Sequence, residues 1–212
     1  MEQFASMLTV AVLLTIIYMY MEGRTHEVVF VKSNVNGKEY LVRNLPDKQN
    51  AADLLAKLSL KLESFVDHLK KTDNSELFST YVGTKDQKEK EKEFSDAVNR
   101  LVNNFNPDQF SESTPDAKYT SYSVNKGEKI VFCLRSKKNE ENLVKENTMM
   151  FVALHELGHL MTKSVGHTPE FWDNFKLLLK IAISIGVYKY IDFNSKPEEY
   201  CGTEITDTPY KQ

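Results

Sequence analysis

Apolar positions recur at helical spacing over residues 50–105 and alternate, or run without interruption, elsewhere. Leu54, Leu55, Leu58, Leu62, Phe65, Val66 and Leu69 share one face of a 3.6-residue period, which predicts an amphipathic helix with Asn50 as its N-cap. The mixed-charge run Lys85–Glu93 reads as the solvated start of a second helix continuing through Phe94, Val98, Leu101, Val102 and Phe105, with an interaction arm as the alternative. Val28–Val31 and Glu39–Val42 flank Asn36-Gly37, the signal of a hairpin with a two-residue turn. Tyr119–Val124 and Lys129–Leu134 alternate as a second hairpin joined by Asn125-Lys126-Gly127-Glu128. Asn106–Asp116, with Pro107 and Pro115, reads as a loop.

One apolar segment has no polar face. Phe4 to Met21 carries no charge, and as a helix it would reach about 27 Å, enough for a thin bilayer. It has neither a basic leader nor a small-residue cleavage site, so a transmembrane helix is expected rather than a signal peptide or a core helix. Arg24 and Lys32 follow it and no basic residue precedes it, so the expected protein is single-pass with its carboxyl-terminal domain in the cytosol. The resulting division is a membrane helix at 4–21, a hairpin and helical region at 24–105, and a catalytic core at 106–212.

Composition narrows the class without naming it. The 212 residues are 41% hydrophobic, sufficient for a core of ordinary size, and a formal net charge of −3 gives no electrostatic case for a nucleic-acid partner. Two cysteines, Cys133 and Cys201, are too few for a disulfide framework and are expected as core thiols. His68 lies beside the first apolar stripe among polar residues and reads as a surface histidine.

The chemistry is concentrated in residues 155–167, which hold three of the five histidines. His155-Glu156-Leu157-Gly158-His159 is an HExxH motif. At i and i+4 on a helix the two imidazoles leave one face and can share a metal, while Glu156 stands beside them as a general base. Residues 148–154 are uncharged, as a metal helix packed in a core requires. Catalytic zinc commonly takes three protein groups. His167, between Gly166 and the Thr168-Pro169 start of a further helix, is the preferred third ligand, with Glu170 and the pair Glu198-Glu199 as rivals. Tyr188, Tyr190 and Tyr200 follow the ligands and are candidate oxyanion donors.

The stretch 155–180, with its His167-Thr168-Pro169-Glu170-Phe171-Trp172 segment, resembles the WLM and SprT-like zinc peptidases, and most of all the versions found in large DNA viruses. The likeness takes in an upstream strand and the tail Glu199-Tyr200-Cys201-Gly202, about residues 117–209. It implies an α+β zincin-like domain with a small sheet. It further implies Zn2+ held by His155, His159 and His167, Glu156 as general base toward a zinc-activated water, and a polypeptide substrate lying along a strand ahead of the metal helix. Two other readings stay open: a zinc-bound module without turnover, and a membrane scaffold binding a partner through the helices at 50–105.

Overall fold

The computed structural model describes residues 10–18, 27–83, 87–136 and 142–211. The described part of α1 is residues 10–18, and its apolar side chains are exposed. The expected membrane helix at 4–21 is not supported by the described residues, of which 10–18 are helical. Among the described residues no helix is long and apolar enough to cross a membrane, so the single-pass placement and the cytosolic side inferred from it lose their basis. Residues 4–9 and 19–21 lie outside the described residues.

Strands β1 (Val28–Lys32) and β2 (Glu39–Arg43) pair antiparallel, Val28 opposite Arg43 and Lys32 opposite Glu39. Their connection is the six residues 33–38 rather than a two-residue turn. Within it Ser33 N–H donates to Lys38 O, Gly37 N–H donates to Ser33 O, and Gly37 takes φ 73°. Helix α2 (Lys48–Lys71) then packs across β1 and β2, burying the whole predicted stripe from Leu54 to Leu69. It starts before the expected cap Asn50. Asp47 at its N-cap makes no side-chain capping bond, because both its carboxylate oxygens accept from Arg135 at 2.6 Å. Helices α3 (Asn74–Tyr81) and α4 (Lys88–Asn104) follow, α3 capped by the Asp73 carboxylate.

The segment read as a loop holds a central strand. After a single 3-10 turn at Pro107–Gln109, β3 (Phe110–Glu112) runs parallel to both β2 and β5 (Lys129–Phe132), and β4 (Tyr122–Val124) closes the sheet antiparallel to β5. The order is β1-β2-β3-β5-β4, which leaves β4 at an edge. Strand β3 was hidden because its buried residues include Ser111 and Glu112. A buried carboxylate is tolerable only when partnered. Glu112 accepts from Arg135 Nε at 2.7 Å and from Arg43 N–H at 2.7 Å, so an ionic cluster replaces the apolar pattern that marks a strand.

Helices α5 (Glu146–Met161) and α6 (Pro169–Ser184) pack on each other, α5 also touching α4, α2 and β4. Thr168 caps α6 by accepting from Phe171 N–H, with Pro169 at the first turn, as the sequence predicts. The chain ends in a hairpin of β6 (Glu198–Tyr200) and β7 (Thr203–Ile205), whose turn places Cys201 at φ 52° and Gly202 at φ 85°. That turn brings Cys201 beside the end of β5. The two cysteines expected as separate thiols form a disulfide, Cys133–Cys201, with Cα atoms 6.2 Å apart. One buried cluster runs from Tyr40 and Val42 through α2 and α5 to Tyr200 and Cys201.

Candidate metal centre

Helix α5 is buried almost throughout from Thr148 to Met161, so its few polar side chains need a purpose. His155 and His159 leave the same face, ring centroids 5.0 Å apart. The α5–α6 connection returns His167 to them, at 4.9 Å from the His155 ring and 5.0 Å from the His159 ring. His155 Nε2 and His167 Nε2 are 3.0 Å apart, and one donor atom from each of the three lies within 4.8 Å of the others. This is the one cluster of three or more such groups among the described residues that could hold a metal ion.

Phe171 forms the floor. Its ring stacks on His159 at 4.4 Å and meets His155 and His167 at 4.8 and 4.7 Å. Gly158 makes room for it, since a Cβ there would stand 3.0 Å from Phe171 Cε2. The glycine inside the motif therefore serves helix packing.

The loop carrying His167 is held from two sides. Lys126, at φ 56° in the β4–β5 turn, donates from Nζ to the carbonyls of Thr162 (2.6 Å), Ser164 (2.8 Å), His159 (3.3 Å) and Lys163 (3.4 Å). A cation there satisfies the carbonyl groups that a helix end leaves open. From the other side Glu170 accepts from the Lys163 N–H at 3.0 Å and the Ser164 Oγ at 3.0 Å and pairs with Arg100. Glu170, the rival ligand by sequence, thus braces the loop and is absent from the donor cluster. Glu198 binds Lys145 and Thr148, and Glu199 accepts from the Gly202 N–H, so neither reaches the cluster.

Electrostatics favour metal-ready imidazoles. Burial pushes His155 down to about 3, aided by repulsion from His159 and His167. Burial likewise lowers His159 to about 4, with His167 and Lys126 adding to it. Neutral rings keep a lone pair available for a ligand. Glu156 is 3% exposed, and its Oε2 has no hydrogen-bond partner. Burial pushes it up to about 8, opposed by the backbone N–H of Ser123 on β4. An unpartnered buried carboxylate oxygen costs free energy and marks a group held for another purpose.

Of the three tyrosines, Tyr188 packs on Phe151 and Tyr190 on Tyr210. Tyr200 alone is coupled to the site. Its hydroxyl lies 2.5 Å from Ser121 Oγ, and burial raises its pKa, with the Glu156 carboxylate adding a further push. Lys126 and Ser121 were not legible as site residues, because backbone carbonyls and a tyrosine hydroxyl leave no spacing pattern. His68 is half-buried and belongs to no cluster.

Residues 80–211 match the family model of the WLM domain. The uncharacterized protein R325 of Acanthamoeba polyphaga mimivirus is 34% identical over 195 residues, 92% of this chain and 91% of that protein. The uncharacterized protein 136R of Invertebrate iridescent virus 6 is 37% identical over 84 residues, 38% of this chain and 44% of the relative. Among solved structures, the crystal structure of Wss1 from Saccharomyces cerevisiae is similar at 20% identity, covering 48% of this chain and 85% of that one with a TM-score of 0.34.

Proposed function

This chain belongs to the WLM domain family, and from that premise we propose that it hydrolyses peptide bonds with a zinc ion held by His155, His159 and His167. The observation that carries the reading is the juxtaposition of three imidazoles with donor atoms within 4.8 Å of one another, with the buried, unpartnered Glu156 Oε2 on the residue next to His155. The donor set fits zinc, since three nitrogen ligands leave a fourth position open, which is the catalytic and not the structural pattern. Bound there, zinc supplies a Lewis acid that polarises a scissile carbonyl and lowers the pKa of water.

The chain's own groups do the rest. Glu156 Oε2 accepts a proton from the attacking water and returns it to the leaving amine nitrogen, a shuttle suited to a carboxyl whose pKa lies near neutrality. Strand β4 is a sheet edge, so its outer backbone groups can pair with an extended polypeptide and align it past Glu156. Such pairing recognises backbone and tolerates varied side chains. The buried Glu156 also weighs against a zinc-bound scaffold without turnover, since a structural site has no use for a base.

Metal analysis and a casein assay test this together. The purified protein should carry one zinc; His159→Ala should lose it, while Glu156→Gln should keep it and lose at least about a hundredfold in kcat. Glu156→Gln activity within a few-fold of the parent would remove the proposed base.

A further inference from the structure

The disulfide and Tyr200 are the parts of this neighbourhood that the hydrolytic reading leaves unused. Tyr200 immediately precedes Cys201, and both are buried. The Tyr200 hydroxyl meets Ser121 Oγ at 2.5 Å, and the same Ser121 oxygen accepts from the Cys133 N–H at 3.1 Å. One serine, where the chain enters β4, is therefore gripped both by the residue that leaves β5 and by the hairpin that the disulfide attaches to it. Two residues further along, β4 packs against α5, and there the Ser123 N–H meets the Glu156 carboxylate.

The hairpin needs such an attachment. It is a two-stranded ribbon of three residues per strand, too small to hold its own position, and it reaches the site across a sequence separation of 68. A covalent closure over that distance removes much of the freedom the hairpin would otherwise have. Apart from the core packing of Tyr200, Cys201 and Ile205, its polar ties from Glu198 to Lys145 and Thr148 hold its start to α5 and not its tip to β4.

We infer that the Cys133–Cys201 bond, acting through Tyr200 and Ser121, holds edge strand β4 against Glu156. Tyr200 is then a positioning residue of the hydrolytic site, and turnover depends on the oxidised state of the bond. This rests on the proposed hydrolysis only for its effect on turnover; the effect on β4 stands apart from it. Reduction would proceed by attack of a dithiol on one sulfur. Two electrons and two protons pass to Cys133 and Cys201 as thiols, and the dithiol becomes a cyclic disulfide.

Hydrogen exchange on the full-length, metal-stripped chain reads the strand directly. Tyr200→Phe keeps the ring and removes the hydroxyl, so amides at 121–124 should exchange about fivefold or more faster, with the rest of the sheet unchanged. Dithiothreitol should reproduce that loss in the parent, and reoxidation should reverse it. In the zinc-loaded protein, with metal content followed in parallel, Tyr200→Phe should lower kcat roughly tenfold and leave KM within about twofold. Ser121→Ala should do the same and add little in the double variant. Unchanged exchange at 121–124 in both Tyr200→Phe and the reduced parent would overturn the inference, whatever the activity. A parent without peptidase activity but with the exchange response sinks the hydrolytic reading and keeps this one.

Discussion

Glu156 sits in the fold at an energetic disadvantage that depends on pH. Its carboxyl is raised by burial to about 8, against about 4.5 for the free side chain, so the folded state prefers the proton throughout the interval between. A raised carboxyl contributes stability while protonated and loses it as pH climbs through that interval. Glutamine has the same shape and no charge to strand. Metal-stripped Glu156→Gln should therefore gain stability over the metal-stripped parent as pH rises from about 5 to about 8, read as a widening gap in Tm. His155 and His159 carry the opposite sign. Held at about 3 and about 4, they contribute stability above their unfolded value near 6.5 that is lost on acidification, equally in parent and variant. A constant gap in Tm would mean that the carboxyl is solvated, which its 3% exposure contradicts.

Among the elements, the β4–β5 turn decides how firmly the third imidazole is presented. Lys126 donates to four carbonyls at the end of α5 and in the loop before His167, and methionine in its place keeps most of the stem but no donor. Lys126→Met should weaken zinc binding about tenfold in a competition titration while leaving far-ultraviolet circular dichroism unchanged. Undiminished affinity would show that the loop is set by Glu170 alone. Helices α2, α5 and α6 were legible because their signals are local: the i, i+4 histidines of α5, Thr168-Pro169 at the start of α6, and the Leu54–Leu69 stripe of α2. Strand β3 was illegible because Arg135, distant in sequence, is what makes burying Glu112 tolerable. The disulfide was missed for a related reason, since only the positive-φ turn at Cys201 brings it to Cys133.

At the scale of the molecule, the sheet is tied to its covering helix by charge as well as by oil. Arg135, 2% exposed, bonds Glu112 on β3 and Asp47 at the start of α2. Burial pushes Glu112 up, opposed by the Arg43 N–H and by Arg135. Removing one member leaves a buried charge stranded, so Arg135→Met should cost about 3–5 kcal/mol in denaturant unfolding. A cost under about 1 kcal/mol would mean that water replaces the guanidinium. The parallel register that sets Leu41 beside Ser111 encloses α2, α3 and α4 within a single crossover. The three imidazoles, by contrast, lie on one helix and the turn that follows it. Close neighbours find each other early in folding and distant parallel strands find each other late. Stopped-flow refolding with a zinc indicator should then show metal uptake ahead of the main sheet signal. A newly made chain would then gather its three imidazoles while β2 and β3 still lie apart, so the crossover would close over a site already assembled.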